Sequence, residues 1–231
     1  MSRFFLSSKG SAQEHTLGEC LAHDFQRDFL WVHLDGKVDD VDTILMQFAD
    51  IPLQAVAALK AQETRPRCTQ FGAGALVNMR GLGATSAIDG DPLVSIRFWA
   101  QRGLVVRLSY GELGVFVRLV ERMLKGKLTD PGDLIAATAM EITDALDPEI
   151  ADLGDALDAI ESSVLEDGST VERRKVAQLR AEAIAYRRFL APQRQATERL
   201  MAMPDHLLTD IGLVAWGGKL WPIAGGTGAR R

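Results

Sequence analysis

No stretch of this 231-residue chain comes near the ~20 consecutive apolar residues that a helix needs to cross a bilayer. The best candidate in the tail, Ile211 to Gly218, is cut short by Lys219. The opening Met-Ser-Arg-Phe-Phe-Leu holds too short an apolar run for a signal peptide. The chain as written therefore reads as soluble and cytoplasmic. Cysteine is scarce: Cys20 and Cys68 lie far apart and fit a reducing cytosol better than a disulfide framework. Net charge is −5, and outside residues 130–203 it is only +2, so no broad basic surface invites nucleic acid. Phosphate-loop motifs are incomplete. Gly72-Ala73-Gly74 precedes a strand where such a loop precedes a helix, and Gly225-Gly226-Thr227-Gly228 lacks both the Lys and a following helix. No Ser/His/Asp or Cys/His set carries a motif around a nucleophile, and Ser109 and Cys68 sit inside strand-like runs. The chain is not read as an enzyme, and no cofactor is required.

Lysine and arginine are absent from Asp130 to Gly168, a segment that holds 12 acids. Asp130-Pro131 opens it as an N-cap followed by Pro at the first helical position. Leu146, Ile150, Leu153, Leu157, Ile160 and Val164 alternate at spacings of four and three, a coiled-coil seam. Asp167-Gly168 supplies the C-cap, and Ser169-Thr170-Val171-Glu172 is a capping box for a second helix. Its seam is Val176, Leu179, Ala183, Tyr186 and Leu190, and from Val171 to Met203 it holds 8 bases against 3 acids. Two antiparallel arms of opposite sign are expected, each roughly 50 Å long at about 1.5 Å rise per residue. The apolar seam supplies their stability and the charges set their pairing. Such arms are expected to protrude or to pack on other subunits. Pro148 and Pro192 each remove one backbone bond inside an arm.

Ahead of the arms, Phe29 to Asp35 is a strong strand signal, and Asp39–Phe48 and Pro52–Leu59 read as helices. Strands are predicted at Arg3–Ser7, Arg65–Phe71, Ala75–Arg80, Leu93–Trp99 and Leu104–Ser109, and a helix at Leu113–Leu124. The rest of residues 1–28 reads as a polar loop. The fold class is α/β: an αβα head over 1–128 with a mixed, largely antiparallel sheet flanked by helices. Two long stalk helices over 129–203 follow, then an irregular Gly- and Trp-containing tail over 204–231.

His15, Cys20, His23 and His33 have ligand-type side chains, but their spacing matches no finger or ribbon, and a structural His33 is the plainer reading. Asp144, Asp147, Asp152, Asp155 and Asp158 on the first arm are candidate oxygen ligands for divalent cations. Set against that is a solvated face opposite a basic arm. Arg173-Arg174-Lys175 and Arg187-Arg188 read as bases spent on the acidic helix.

Several motifs resemble a known family. They are Trp31-Val32-His33-Leu34-Asp35, Glu63-Thr64-Arg65-Pro66-Arg67 with Phe71-Gly72, Met79-Arg80-Gly81, Val94-Ser95-Ile96-Arg97-Phe98-Trp99 and Tyr186-Arg187-Arg188-Phe189-Leu190-Ala191-Pro192-Gln193-Arg194. Over roughly residues 25–203 they resemble, in family order, the cytoplasmic domain of CorA-like divalent-cation transporters, nearest the zinc-transporting ZntB branch. The resemblance implies an αβα head, long stalk helices, a homopentameric funnel and a place on the cytosolic side of a bacterial inner membrane. It implies divalent metal ions, zinc or magnesium, as partners, and structural roles for the motif residues. In that family the last arm runs on into two transmembrane helices with a Gly-Met-Asn signature, and neither occurs here. The expectation is a regulatory funnel module that itself lacks the pore. The alternative is a stand-alone soluble interaction protein that oligomerises through the arm seams.

Overall fold

A computed structural model describes residues 2–8, 11–23, 28–61, 65–84, 93–167, 170–203, 205–210, 213–216 and 219–222. The elements of the head are β1 (Arg3–Ser8), β2 (Ser11–His15), α1 (Leu17–Leu21), β3 (Phe29–Asp35), α2 (Val41–Leu45), α3 (Leu53–Lys60), β4 (Arg67–Phe71), β5 (Gly74–Leu82), β6 (Leu93–Gln101), β7 (Leu104–Ser109) and α4 (Phe116–Leu124). The arms are α5 (Pro131–Asp167) and α6 (Thr170–Met201). After them come α7 (Asp205–Asp210), β8 (Leu213–Trp216) and β9 (Lys219–Pro222).

One seven-stranded sheet runs in the order β2-β1-β3-β7-β6-β5-β4. Its pairings are antiparallel except that of β3 with β7, which is parallel. The apolar residues of β3 follow one another because both faces of a central strand are covered. Leu30, Val32 and Leu34 face one way, with Val106 and Leu108 of β7, against Leu45, Phe48, Ala55 and Leu59 of the α2–α3 layer. Phe29 and Trp31 face the other way, with Val105, Phe98, Val77 and Met79, against α4, α5 and α6. The result is the mixed sheet between helical layers that the hydrophobic pattern predicts. Gly72, at φ 58°, turns β4 into β5 where an L side chain would be strained. A Cβ on Gly81 would come within 2.9 Å of Ile142 and Leu113, so glycine lets α5 lie directly on β5.

The arms do not stand clear of the head along their whole length. Leu134, Ile135, Ala137, Ile142 and Leu146 of α5 and Tyr186, Ala196 and Leu200 of α6 are buried in the core that covers β4 and β5. Farther out, Leu153, Leu157, Leu179 and Ala183 are half-buried, and Val176 and Ile184 are exposed. The proximal parts of the arms are therefore a layer of the head, and the distal parts are only partly covered. Among the described residues no ion pair joins α5 to α6. The first-arm Glu141 pairs instead with Arg118 and Arg122 of α4, and Arg194 with Glu198 on its own helix. Apolar contact is what the described residues show between the arms, with Leu146, Leu153, Tyr186, Phe189 and Leu190 in one cluster, while exposed ion pairs contribute only tenths of a kcal/mol. Asp130 does cap α5, its Oδ1 accepting the Asp133 N–H at 2.8 Å. The caps at Gly168 and Ser169 lie outside the described residues. Replacing Leu153 and Leu157 together by Asp should destabilise the paired arms by ~2–3 kcal/mol, since carboxylates would enter an apolar seam. Thermal melting and light scattering check this, and an unchanged melt would overturn the seam.

Two further expectations are corrected. Ser11–His15, read within a polar loop, is a strand, because Arg3 of β1 clamps Glu14 of β2 through two 2.8 Å bonds and Ala12 enters the core. The tail read as irregular holds α7 and the β8–β9 hairpin. Leu213-Val214-Ala215-Trp216 and Lys219-Leu220-Trp221-Pro222, flanking Gly217-Gly218, carry a hairpin pattern that glycine content concealed. Leu208 and Leu213 anchor this segment in the arm-side core.

Candidate functional site

Burial separates the candidate residues into three groups. The five aspartates of α5, Asp144, Asp147, Asp152, Asp155 and Asp158, are all exposed. Among the described residues no cluster of three or more His, Cys, Asp or Glu side chains could hold a metal ion. Helical geometry explains why. The five side chains project from one exposed rod, spread over spacings of three to five residues along it.

The His/Cys set does not converge either. The rings of His15 and His23 lie 6.2 Å apart, but each nitrogen-bearing ring has its own carboxylate: Glu19 at 3.7 Å and Asp28 at 3.0 Å. Cys20 is turned into the α2–α3 core, where burial pushes its thiol up to about 11. His33 lies on the opposite face of the sheet, stacked on Phe116 of α4 at 4.2 Å between centroids.

His33 belongs to a buried pillar between the sheet and α4. Trp31 packs on Phe5 at 4.9 Å and edge-on to Phe116 at 5.8 Å. Arg107, opposite His33 in the parallel register, is 1% exposed and donates from Nη1 to His33 Nδ1. Burial, and secondarily the Arg107 charge, drives the His33 imidazole down to about 2, so it stays neutral and accepts. Burial also lowers Arg107, to about 9, against the pull of Asp35 and Glu112. Arg107 and Phe116 were not among the sequence candidates. A lone charge inside the apolar run Leu104-Val105-Val106-Arg107-Leu108 was the available signal.

The third group roots α6 on the sheet. The Arg80 N–H donates to Gln193 Oε1 at 2.8 Å, and the Arg80 guanidinium lies over the Phe189 ring at 3.9 Å while donating to the Leu93 carbonyl. The edge strand explains the contact: β4 stops pairing at Asn78, so β5 beyond it meets α6 instead. Arg97, 2% exposed, donates to the Ala61 carbonyl at 2.7 Å and lies over Tyr110. Trp99 is buried with its indole N–H on Gln101 Oε1, and a Cβ on Gly74 would strike its ring. Asp35 accepts the Lys37 N–H at the end of β3. Pro66 is buried between exposed Arg65 and Arg67. Pro192 is half-buried, with α6 continuous through it, while Arg187, Arg188 and Arg194 are exposed. Arg187 and Arg194 rim an apolar groove of about 410 Å³ between the arms, floored by Ile150, Leu153, Tyr186 and Leu190.

Residues 26–212, which carry the pillar, the α6 root and both arms, match the family described as CorA-like Mg2+ transporter protein. The chain belongs to that family. Among CorA-like relatives, the divalent cation transporter CmaX of Pseudomonas aeruginosa is 29% identical over 174 residues, covering 74% of this chain and 52% of that protein. The zinc transport protein ZntB of Pectobacterium atrosepticum is 26% identical over 171 residues, covering 74% of this chain and 52% of that protein. The chain thus spans about half the length of the curated relatives it matches. In fold it is similar to the ZntB cytoplasmic domain from Vibrio parahaemolyticus, with a TM-score of 0.73 at 16% identity over 90% of this chain and 81% of that one. Among the described residues of this CorA-like chain no helix is long and apolar enough to cross a membrane.

Proposed function

We propose that this CorA-like chain is the cytosolic metal-responsive module of a bacterial inner-membrane transporter of divalent cations, with zinc as the ion and magnesium as the competitor. The observation that carries this reading is the family match over residues 26–212, which takes in the head from β3 onward and both arms. The exposed aspartates of α5 give the module its ligands, and because one copy does not converge them, the sites form where α5 of one copy meets its neighbour. The copies assemble as a homopentameric funnel. A hard or borderline cation screens the mutual repulsion of facing carboxylates, so bound metal favours the closely packed arrangement and its loss favours a looser one. The α6 root at Arg80, Phe189 and Gln193 carries the change between arm and sheet. The chain itself supplies regulation; ion passage belongs to membrane-spanning segments that this match does not include.

The test uses the full chain with zinc chloride and magnesium chloride. At a hundredfold excess over Kd, ligand linkage contributes ~2.7 kcal/mol, which raises Tm by about 5–10 °C for a chain of this size. The light-scattering mass should rise with it. Changing Asp144, Asp147, Asp152, Asp155 and Asp158 to Asn should abolish both effects. A wild-type chain indifferent to either metal at millimolar levels would refute the proposal.

A further inference from the structure

At the edge where β5 ends, β6 begins and the chain leaves β7, a cleft of about 520 Å³ opens beside the C-terminal end of α3. It is lined by Arg80, Leu93, Val94, Ser95, Arg97, Tyr110 and Gly111. Two guanidiniums, a hydroxyl and a phenol face one space, and no carboxylate is among these lining residues. Arg97 is held with its plane over Tyr110 at 4.9 Å and its Nη2 on the Ala61 carbonyl, and Tyr110 OH donates to the Lys60 carbonyl at 3.3 Å. Arg97 and Tyr110 are therefore fixed before any ligand arrives. Behind them Asn78, in register with Arg97 and two residues from Arg80 on the same face of β5, is 1% exposed. Among the described residues neither its amide nitrogen nor its oxygen has a hydrogen-bond partner. A buried polar group of that kind marks a place where a ligand or water belongs.

We propose that this cleft binds a small oxyanion, a phosphate or carboxylate group, gripped by Arg80 and Arg97 with Ser95 as hydroxyl donor and Tyr110 as the ring that holds Arg97 in place. Guanidinium forks match the paired oxygens of both groups, and charge-assisted bonds are the stronger kind. An anion also relieves the repulsion that Arg80 exerts on buried Arg97. Arg80 does two jobs, since the same guanidinium lies over Phe189 of α6. Drawing it into the cleft loosens its hold on the arm, so the oxyanion is an effector of arm position, independent of any metal.

The experiment is isothermal calorimetry of the full chain with sodium phosphate and sodium acetate, with sodium chloride at equal ionic strength as the control. Saturable binding of phosphate or acetate beyond chloride is expected, and the preference between them tells which group the cleft takes. Arg80→Gln should weaken binding at least tenfold. Ser95→Ala, which disturbs no core contact, should weaken it about threefold. Amide exchange over residues 186–194 should quicken in the bound state. Equal heats from all three salts, or affinity unchanged in both variants, would overturn the site; so would binding with no change in α6 exchange overturn its link to the arm.

Discussion

His33→Leu is expected to destabilise the protein by about 3–5 kcal/mol, because it strands the Arg107 guanidinium in the core with no acceptor. Arg107 is 1% exposed, and among the described residues its Nε and Nη2 lack hydrogen-bond partners, so Nη1 to His33 Nδ1 is its one described hydrogen bond. Leucine keeps the apolar contact with Phe116, which isolates the polar loss. Adding Arg107→Met should recover most of the stability, since an apolar pair of similar volume often replaces a buried polar pair at little cost. Urea denaturation of the two singles and the double closes the cycle. A single variant that loses less than about 1 kcal/mol would show that the guanidinium finds another acceptor. His33 also gives the fold an acid sensitivity. Its folded value is depressed from 6.5 to about 2, so the stability it contributes is complete above pH 6.5 and drains away as pH falls toward 2.

The second large effect runs the opposite way with pH. Burial raises the Asp130 carboxyl from 3.8 to about 7, although the Asp133 N–H it caps pulls it down. A raised carboxylate is stabilising while protonated: its contribution is whole below about pH 4 and is lost as pH climbs through 7. Asparagine caps a helix as well as aspartate does and carries no charge to desolvate. Asp130→Asn should therefore match the parent near pH 4 and exceed it at pH 8 by about 2 kcal/mol, after allowance for partial exposure. In melting temperature that is roughly 4–8 °C. Differential scanning calorimetry at both pH values checks it, with the difference between parent and variant cancelling the His33 contribution. A gap that is constant across pH would mean that Asp130 is ionised throughout.

What could be read from the residues was the periodicity. Phe29–Asp35 and Leu104–Ser109 announce themselves as buried strands, and the seam spacing from Leu146 onward announces a long helix. Family motifs then fixed the layer order. Most of the misses come from interactions distant in sequence. Ser11–His15 is polar along its exposed face and becomes a strand only because Arg3 and β1 hold it. The hairpin at 213–222 hides in glycine and proline. The acid stripe on α5 was visible, but a stripe on one rod does not say what faces it. Arg107 and Asn78 were visible only as polar intrusions in apolar runs, and their partners come from strands and helices far along the chain.

The single parallel pairing in the sheet bears on how the chain is born. β3 is complete at Asp35, but the strand that fills its other side begins at Leu104. At a synthesis rate of about 5–20 residues per second, a nascent chain therefore leaves the ribosome with that flank of β3 open for roughly 3–14 s. During that interval the backbone N–H and C=O groups along that side of β3 have no strand to pair with, the kind of edge that recruits a neighbouring chain or a chaperone.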